Sequence, residues 1–188
     1  AIVYLSNSET TVSKGEISDN IGVERAIIEV SSGSFVMDGT TLTNNSGSGV
    51  VYGGADITLR NVVATNNIGT SSMYSGGSVL NANSIKSKKV ILENVVATKN
   101  ENTKEFGGAF YFYDSSNDTS IEIKGCTITD NTAKKRGGAI YLNNKGTTII
   151  HDTVISRNTA NEEPKNKTGG YGQIGGGLYV ASTEGSVR

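Results

Sequence analysis

The sequence predicts an all-β protein, a parallel β-helix solenoid, and three recurring patterns carry that expectation. An asparagine stands three residues after an aliphatic or alanine residue six times, in Ile17-x-x-Asn20, Leu42-x-x-Asn45, Ala64-x-x-Asn67, Ala97-x-x-Asn100, Ile128-x-x-Asn131 and Ile155-x-x-Asn158. A small residue followed by an apolar strand recurs along the chain, and a second, alternating strand ends repeatedly in Gly, Asn or Asp. The asparagines lie 22 to 33 residues apart, so a fixed unit is separated by insertions of variable length. A unit repeated at roughly 20–50 residues is the mark of a solenoid, in which each repeat buries its apolar face only against its neighbours.

The first strand begins after a small residue, as in Ala1-Ile2-Val3-Tyr4, Ala26-Ile27-Ile28-Glu29, Gly49-Val50-Val51-Tyr52 and Ser78-Val79-Leu80-Asn81. The later copies are Ala109-Phe110-Tyr111-Phe112, Ala139-Ile140-Tyr141-Leu142 and Gly177-Leu178-Tyr179-Val180. Its aliphatic second position (Ile2, Ile27, Val50, Val79, Phe110, Ile140, Leu178) is expected to face the core. The third position (Val3, Ile28, Val51, Leu80, Tyr111, Tyr141, Tyr179) is then expected to face out; a slip of one residue would exchange the two faces. The second strand alternates at Phe35/Met37, Ile57/Leu59, Val90/Leu92, Ile121/Ile123 and Thr148/Ile150. It ends at Gly39, Asn61, Asn94, Gly125 and Asp152, with Gly15 in the looser first copy. These residue types accept left-handed backbone angles, so one of them bends the chain without a full loop. The third strand presents Val62/Ala64, Val95/Ala97, Cys126/Ile128 and Thr153/Ile155 inward and ends at the asparagine.

Three short strands per rung, stacked about 4.8 Å apart over about six rungs, form three parallel sheets around a narrow core. Each inward Ile or Leu contributes on the order of 1.5–3 kcal/mol by burial, so stacking supplies the stability that no single rung has. The asparagines Asn20, Asn45, Asn67, Asn100, Asn131 and Asn158 are read as a structural ladder, each amide donating to one neighbouring rung and accepting from the other. Residues 1–188 make one β-helix domain; because the chain opens mid-repeat at Ala1-Ile2-Val3-Tyr4-Leu5, it is expected to be a piece of a longer repeat protein.

Composition narrows the function. Net charge is -1, with lysines and acids interspersed, so there is no basic stripe to neutralise phosphates and nucleic-acid binding is not expected. No apolar run reaches the ~18–20 residues that span a bilayer. The single cysteine, Cys126, permits no internal disulfide and no thiolate metal cluster. Neither a metal nor a cofactor is called for.

The short words resemble the polymorphic outer membrane protein repeat of bacterial surface proteins, with its motifs Gly-Gly-Ala-[Ile/Leu/Val] and Phe-x-x-Asn. Gly137-Gly138-Ala139-Ile140 matches the first word fully; Gly107-Gly108-Ala109-Phe110, Gly76-Gly77-Ser78-Val79 and Gly175-Gly176-Gly177-Leu178 match it loosely. In the second word Ile, Leu or Ala replaces Phe in every copy. The resemblance implies a right-handed parallel β-helix of the pectin-lyase-like class, displayed on the cell surface as part of an adhesin.

In such a coil, function belongs to outward columns and loops. Tyr111, Tyr141 and Tyr179 form a stacked aromatic column suited to a glycan or partner sheet, with cross-strand packing as the plainer reading. Tyr74, Phe106 and Tyr171 stand in or beside the loops that follow the asparagines and are candidate anchors. The long stretch Thr159–Ile174 leaves the same corner. The alternative is a polysaccharide lyase or hydrolase, which needs clustered outward carboxylates or an acidic calcium site with a base. Glu29 is the one acid in the first-strand segments, so the chain is expected not to be an enzyme. His151, the one histidine, shares its column with Lys14, Asp38, Arg60, Glu93 and Lys124, a mixture that reads as a solvated face. Asn44, Asn117 and Asn166 begin N-x-Ser/Thr triplets that a chain rich in these residues makes by chance. The expected role is adhesion or a stalk or filament in an extracellular surface protein. Expected partners are a host or neighbouring-cell protein or glycan, or another copy stacked on the ends of the β-helix.

Overall fold

The computed structural model describes residues 2–72, 76–83, 89–114, 119–161, 175–181 and 186–188. The described residues contain strands and turns but no helix. Four sheets, all parallel, run the length of the molecule. The first has seven strands, from Val3–Leu5 through Ile28–Val30, Val51–Gly53, Leu80–Asn83, Phe110–Asp114 and Ile140–Asn144 to Leu178–Val180. The second, also of seven, starts at Ser8–Ser13 and includes Gly33–Asp38, Asp56–Arg60, Lys89–Glu93, Ser120–Lys124 and Thr147–His151. The third has six three-residue strands, from Glu16–Ser18 to Val154–Ser156. Every strand pairs with the equivalent strand one repeat away, which is the connectivity of a parallel β-helix.

To the three strands legible in each repeat the structure adds a fourth. Ser46–Gly47, Ile68–Gly69, Glu101–Asn102, Thr132–Ala133 and Thr159–Ala160 form a five-stranded sheet immediately after the ladder asparagines. Two-residue strands carry no readable alternation, which is why pattern alone passed over them.

The corners explain the turn residues. Asn61, Asn94 and Asp152 have φ of 52°, 52° and 50°, and Gly39 and Gly125 have 63° and 61°. In the first copy it is Lys14, at 51°, that takes this conformation, and its N–H donates to the Asp38 carbonyl one rung on. Gly15 lies one place later, beside Thr40. The Lys14 side chain therefore leaves the column of His151, where Ser13 stands instead. A second left-handed corner precedes each ladder asparagine: Asp19, Asn44, Asn66, Lys99, Asp130 and Arg157 all have φ between 54° and 59°. Four of the six are Asn or Asp, which accept such a bend, but Lys99 and Arg157 interrupt the column, so it does not read as a uniform turn position.

The first strand departs from the expected register in its early copies. Val3, Ile28, Val51 and Leu80 pair in one column with Phe110, Ile140 and Leu178 and face the core. Ile28, Val51 and Leu80 are 3%, 0% and 0% exposed, not outward. The outward column is Tyr4, Glu29, Tyr52, Asn81, Tyr111, Tyr141 and Tyr179, so the expected outward face holds only for the last three copies. Ile27, Val50 and Val79, expected inward, are buried in the core at 2%, 1% and 0% exposure. The slip arises at the preceding corner. Gly77, Gly107 and Gly137 share φ of 69°, 65° and 67°, and the Val79 N–H donates to the Ala109 carbonyl. Gly77 thus aligns with Gly107, and Val79 fills the place of Ala109 and Ala139. Two adjacent apolar residues satisfy either register by pattern; the glycine conformation decides between them.

The core is continuous. Phe35, Met37, Leu42, Ile57, Leu59, Leu92, Phe110, Phe112 and Ile128 are among side chains with essentially no exposure. On the outside, the third sheet presents two columns. One is Glu16, Thr41, Val63, Val96, Thr127 and Val154; the other is Ser18, Thr43, Thr65, Thr98, Thr129 and Ser156.

Candidate binding surfaces

The ladder asparagines are bonded to one another from rung to rung. Each Nδ2 donates to the Oδ1 of the next: Asn20 to Asn45 at 3.0 Å, Asn45 to Asn67 at 2.9 Å, Asn67 to Asn100 at 2.9 Å, Asn100 to Asn131 at 3.0 Å and Asn131 to Asn158 at 2.9 Å. The same Oδ1 atoms also accept the backbone N–H of the preceding asparagine, as from Asn67 to Asn100 at 3.0 Å. The second Nδ2 hydrogen reaches the carbonyl of the aliphatic residue one rung back, as from Asn45 to Ile17 at 2.7 Å and Asn131 to Ala97 at 3.0 Å. The aliphatic-x-x-Asn word therefore links both its members to adjacent rungs. Asn45, Asn67, Asn100 and Asn131 are at most 1% exposed, leaving nothing for a ligand.

The tyrosine column is stacked but roofed. Tyr111 and Tyr141 have ring centroids 5.1 Å apart, and Tyr141 and Tyr179 are 5.3 Å apart. Loops that follow the short fourth strands fold across them. Phe106 lies 4.7 Å from Tyr141, Lys135 sits over Phe106 at 5.2 Å, and Arg136 covers Tyr179 at 5.2 Å while donating to its hydroxyl at 3.0 Å. Lys135 is held in turn by Glu105 at 2.7 Å. Tyr111 is only 4% exposed, so its ring is not open to a partner; Tyr141, Tyr179 and Phe106 are half-buried. Tyr113, two residues further along the strand, stacks on Tyr111 and is 37% exposed. The roofing loops, not visible in the sequence, turn most of this outward column into internal packing. Tyr74 and Tyr171, and the loop of residues 162–174, lie outside the described residues.

Charges alternate along the outer edge of the second sheet. Asp38 pairs with Arg60 at 3.0 Å and Glu93 with Lys124 at 3.2 Å; His151 lies 3.5 Å from Glu122 and 2.9 Å from Asp152. The Arg60 guanidinium holds the Asp38 carboxyl below its ordinary range. The hydrogen bond from Asp152, with help from Glu122, raises the His151 imidazole above its ordinary value. His151 is 45% exposed and sits in a solvated ion column. Cys126 is buried in a column with Thr40, Val62, Val95 and Thr153, and desolvation pushes its thiol up, away from the reactive thiolate. Among the described residues no three His, Cys, Asp or Glu side chains gather as a metal site. A cavity of about 460 Å³, lined by Val3, Leu5, Val12, Ile17, Ile28 and Phe35, is the core seen end-on at the first rung.

Fold and columns together define a parallel β-helix repeat protein. Residues 125–143 match the Chlamydia polymorphic membrane protein (Chlamydia_PMP) repeat. That segment runs from the left-handed Gly125 corner through Ile128 and Asn131 to Gly137-Gly138-Ala139-Ile140, one passage from the third strand to the next first strand. No curated protein and no solved structure matches the chain.

Proposed function

We propose that this chain is a non-catalytic repeat segment of an extracellular, cell-surface protein, acting in adhesion or as a stiff stalk. The observation that carries the reading is the surface-protein repeat at residues 125–143, set in a stack whose other repeats share its corner and ladder geometry. A rod of in-register strands holds loops at one edge at fixed spacing, which suits display to a host or neighbouring cell better than enclosure of a substrate. The half-buried Phe106, Tyr141 and Tyr179 and the exposed Tyr113 are described aromatic groups in or beside those loops.

Antibodies raised against the folded segment test the placement. They should label intact source cells; labelling only after permeabilisation would overturn it. The non-catalytic part is tested by incubation with acidic and neutral polysaccharides, which should yield no new reducing ends and no unsaturated products.

A further inference from the structure

The outer face of the third sheet differs in kind from its neighbours. Its six strands pair without a slip, so each outward group repeats at the strand spacing of about 4.8 Å, and the two columns stand about 6.6–6.8 Å apart. One column is Val or Thr in five of six places; the other is Ser or Thr in all six. β-Branched side chains are stiff about χ1, so their methyls and hydroxyls repeat as a rigid grid. The Thr129 hydroxyl, on a residue 8% exposed, meets that of the half-buried Thr98 at 3.5 Å, while Val63, Val96 and Val154 are 42%, 37% and 55% exposed. Glu16, on the sheet's first strand, is the one charged side chain on the grid; Asp19, Lys99, Asp130 and Arg157 lie on its rim, the last two paired at 2.8 Å. The second sheet carries Asp38, Arg60, Glu93 and Lys124 in the corresponding outward place.

A matching partner must be neutral, flat and periodic on the same scale. A protein is a poor match, because the grid has none of the Tyr, Trp or Arg anchors on which interfaces depend. At roughly 24 Å by 10 Å it also falls well short of the ~800 Å² per side of a stable complex. A glycan lacks an aromatic platform here. Ordered water meets each condition: it carries no net charge, its lattice repeats near the strand spacing, and hydroxyls both donate to it and accept from it. The exposed methyls between the hydroxyls keep mobile water out of register. We propose that this face binds the surface of ice. A molecule held on the growing front forces the ice to advance as curved bulges between bound molecules, and curved ice freezes at a lower temperature.

The proposal stands apart from the cell-surface reading and has its own test. The freezing–melting gap and enrichment in slowly grown ice are measured for the chain, for Val96→Lys and Val63→Lys on the grid, and for Thr58→Lys on the second sheet. The chain and Thr58→Lys should show a gap and enrichment, and both grid variants should lose them while keeping the β-type circular dichroism. Using two grid variants guards against one failing to fold. Absence of a gap and of enrichment in the unmodified chain overturns the proposal. So does equal activity in a folded grid variant, or retention on crystalline cellulose without enrichment in ice.

Discussion

Replacing Asn100 with Ala tests whether the ladder is the spine of the stack. Asn100 accepts the backbone N–H of Asn67 at 3.0 Å and its Nδ2 at 2.9 Å, and donates to Asn131 Oδ1 at 3.0 Å and to the Ala64 carbonyl at 2.9 Å. Asn131 Oδ1 keeps a second donor, the backbone N–H of residue 100, at 3.0 Å. The Asn67 backbone N–H keeps no acceptor on that side, whereas its Nδ2 still has the Leu42 and Thr65 carbonyls at 2.9 and 3.3 Å; Asn67 is 0% exposed. An orphaned buried donor costs about 1–3 kcal/mol, so Asn100→Ala should destabilise by about that amount. Asn20→Ala is the internal control. Asn20 donates to Asn45 and Ser18 from the partly exposed end of the ladder, so its removal orphans no buried donor and should cost within about 1 kcal/mol. Urea unfolding followed by circular dichroism measures both.

Asn100→Asp adds a pH signature. The carboxylate still accepts from Asn67, but its other oxygen faces the Ala64 carbonyl and Asn131 Oδ1, so the folded state favours the protonated acid. The folded pKa is raised above the unfolded ~3.9. Stability should be greatest below that value and fall as pH rises toward the raised folded pKa. Equal losses for Asn100→Ala and Asn20→Ala, or a pH-independent Asn100→Asp, would refute the ladder as a major source of stability.

Other outcomes follow from the same structure. His151 should titrate above an ordinary histidine by NMR, and Asp152→Asn with Glu122→Gln should return it toward the ordinary value. Its folded pKa is raised, so its small contribution is present below the unfolded pKa and lost as pH rises through the folded one. Asp38 and Asp130 act in the opposite sense: their carboxyls are depressed by Arg60 and Arg157, so their contributions are present above the unfolded value and lost on acidification. Cys126 should resist a thiol reagent in the native state and react at the rate of unfolding; rapid native labelling would contradict its burial. Gly107→Ala should destabilise strongly, because residue 107 has φ of 65° and an added Cβ would run into the Phe110 carbonyl; the left-handed backbone alone costs roughly 1–2 kcal/mol.

The sequence by itself determined the repeat, the parallel stack and most of the corner residues after the second strand. Alternation at Ile57/Leu59 or Ile121/Ile123 has one solution on a half-buried strand, and a recurring Asn beside an apolar run must be satisfied between repeats. It did not determine which of two adjacent apolar residues takes the inward place on the paired strand in Ile27-Ile28 or Val50-Val51, where both are buried. Both satisfy the pattern, and the choice belongs to the corner before the strand. Nor did it disclose that Lys99 and Arg157 bend left-handed, because that conformation is imposed by neighbouring rungs against their own preference. The fate of Tyr111 was likewise tertiary, since the loops bearing Phe106, Lys135 and Arg136 cross its column from other rungs. The neutral grid of Val, Thr and Ser was written in the sequence as scattered residues about one repeat apart. Only in-register stacking of the third strands made it a surface.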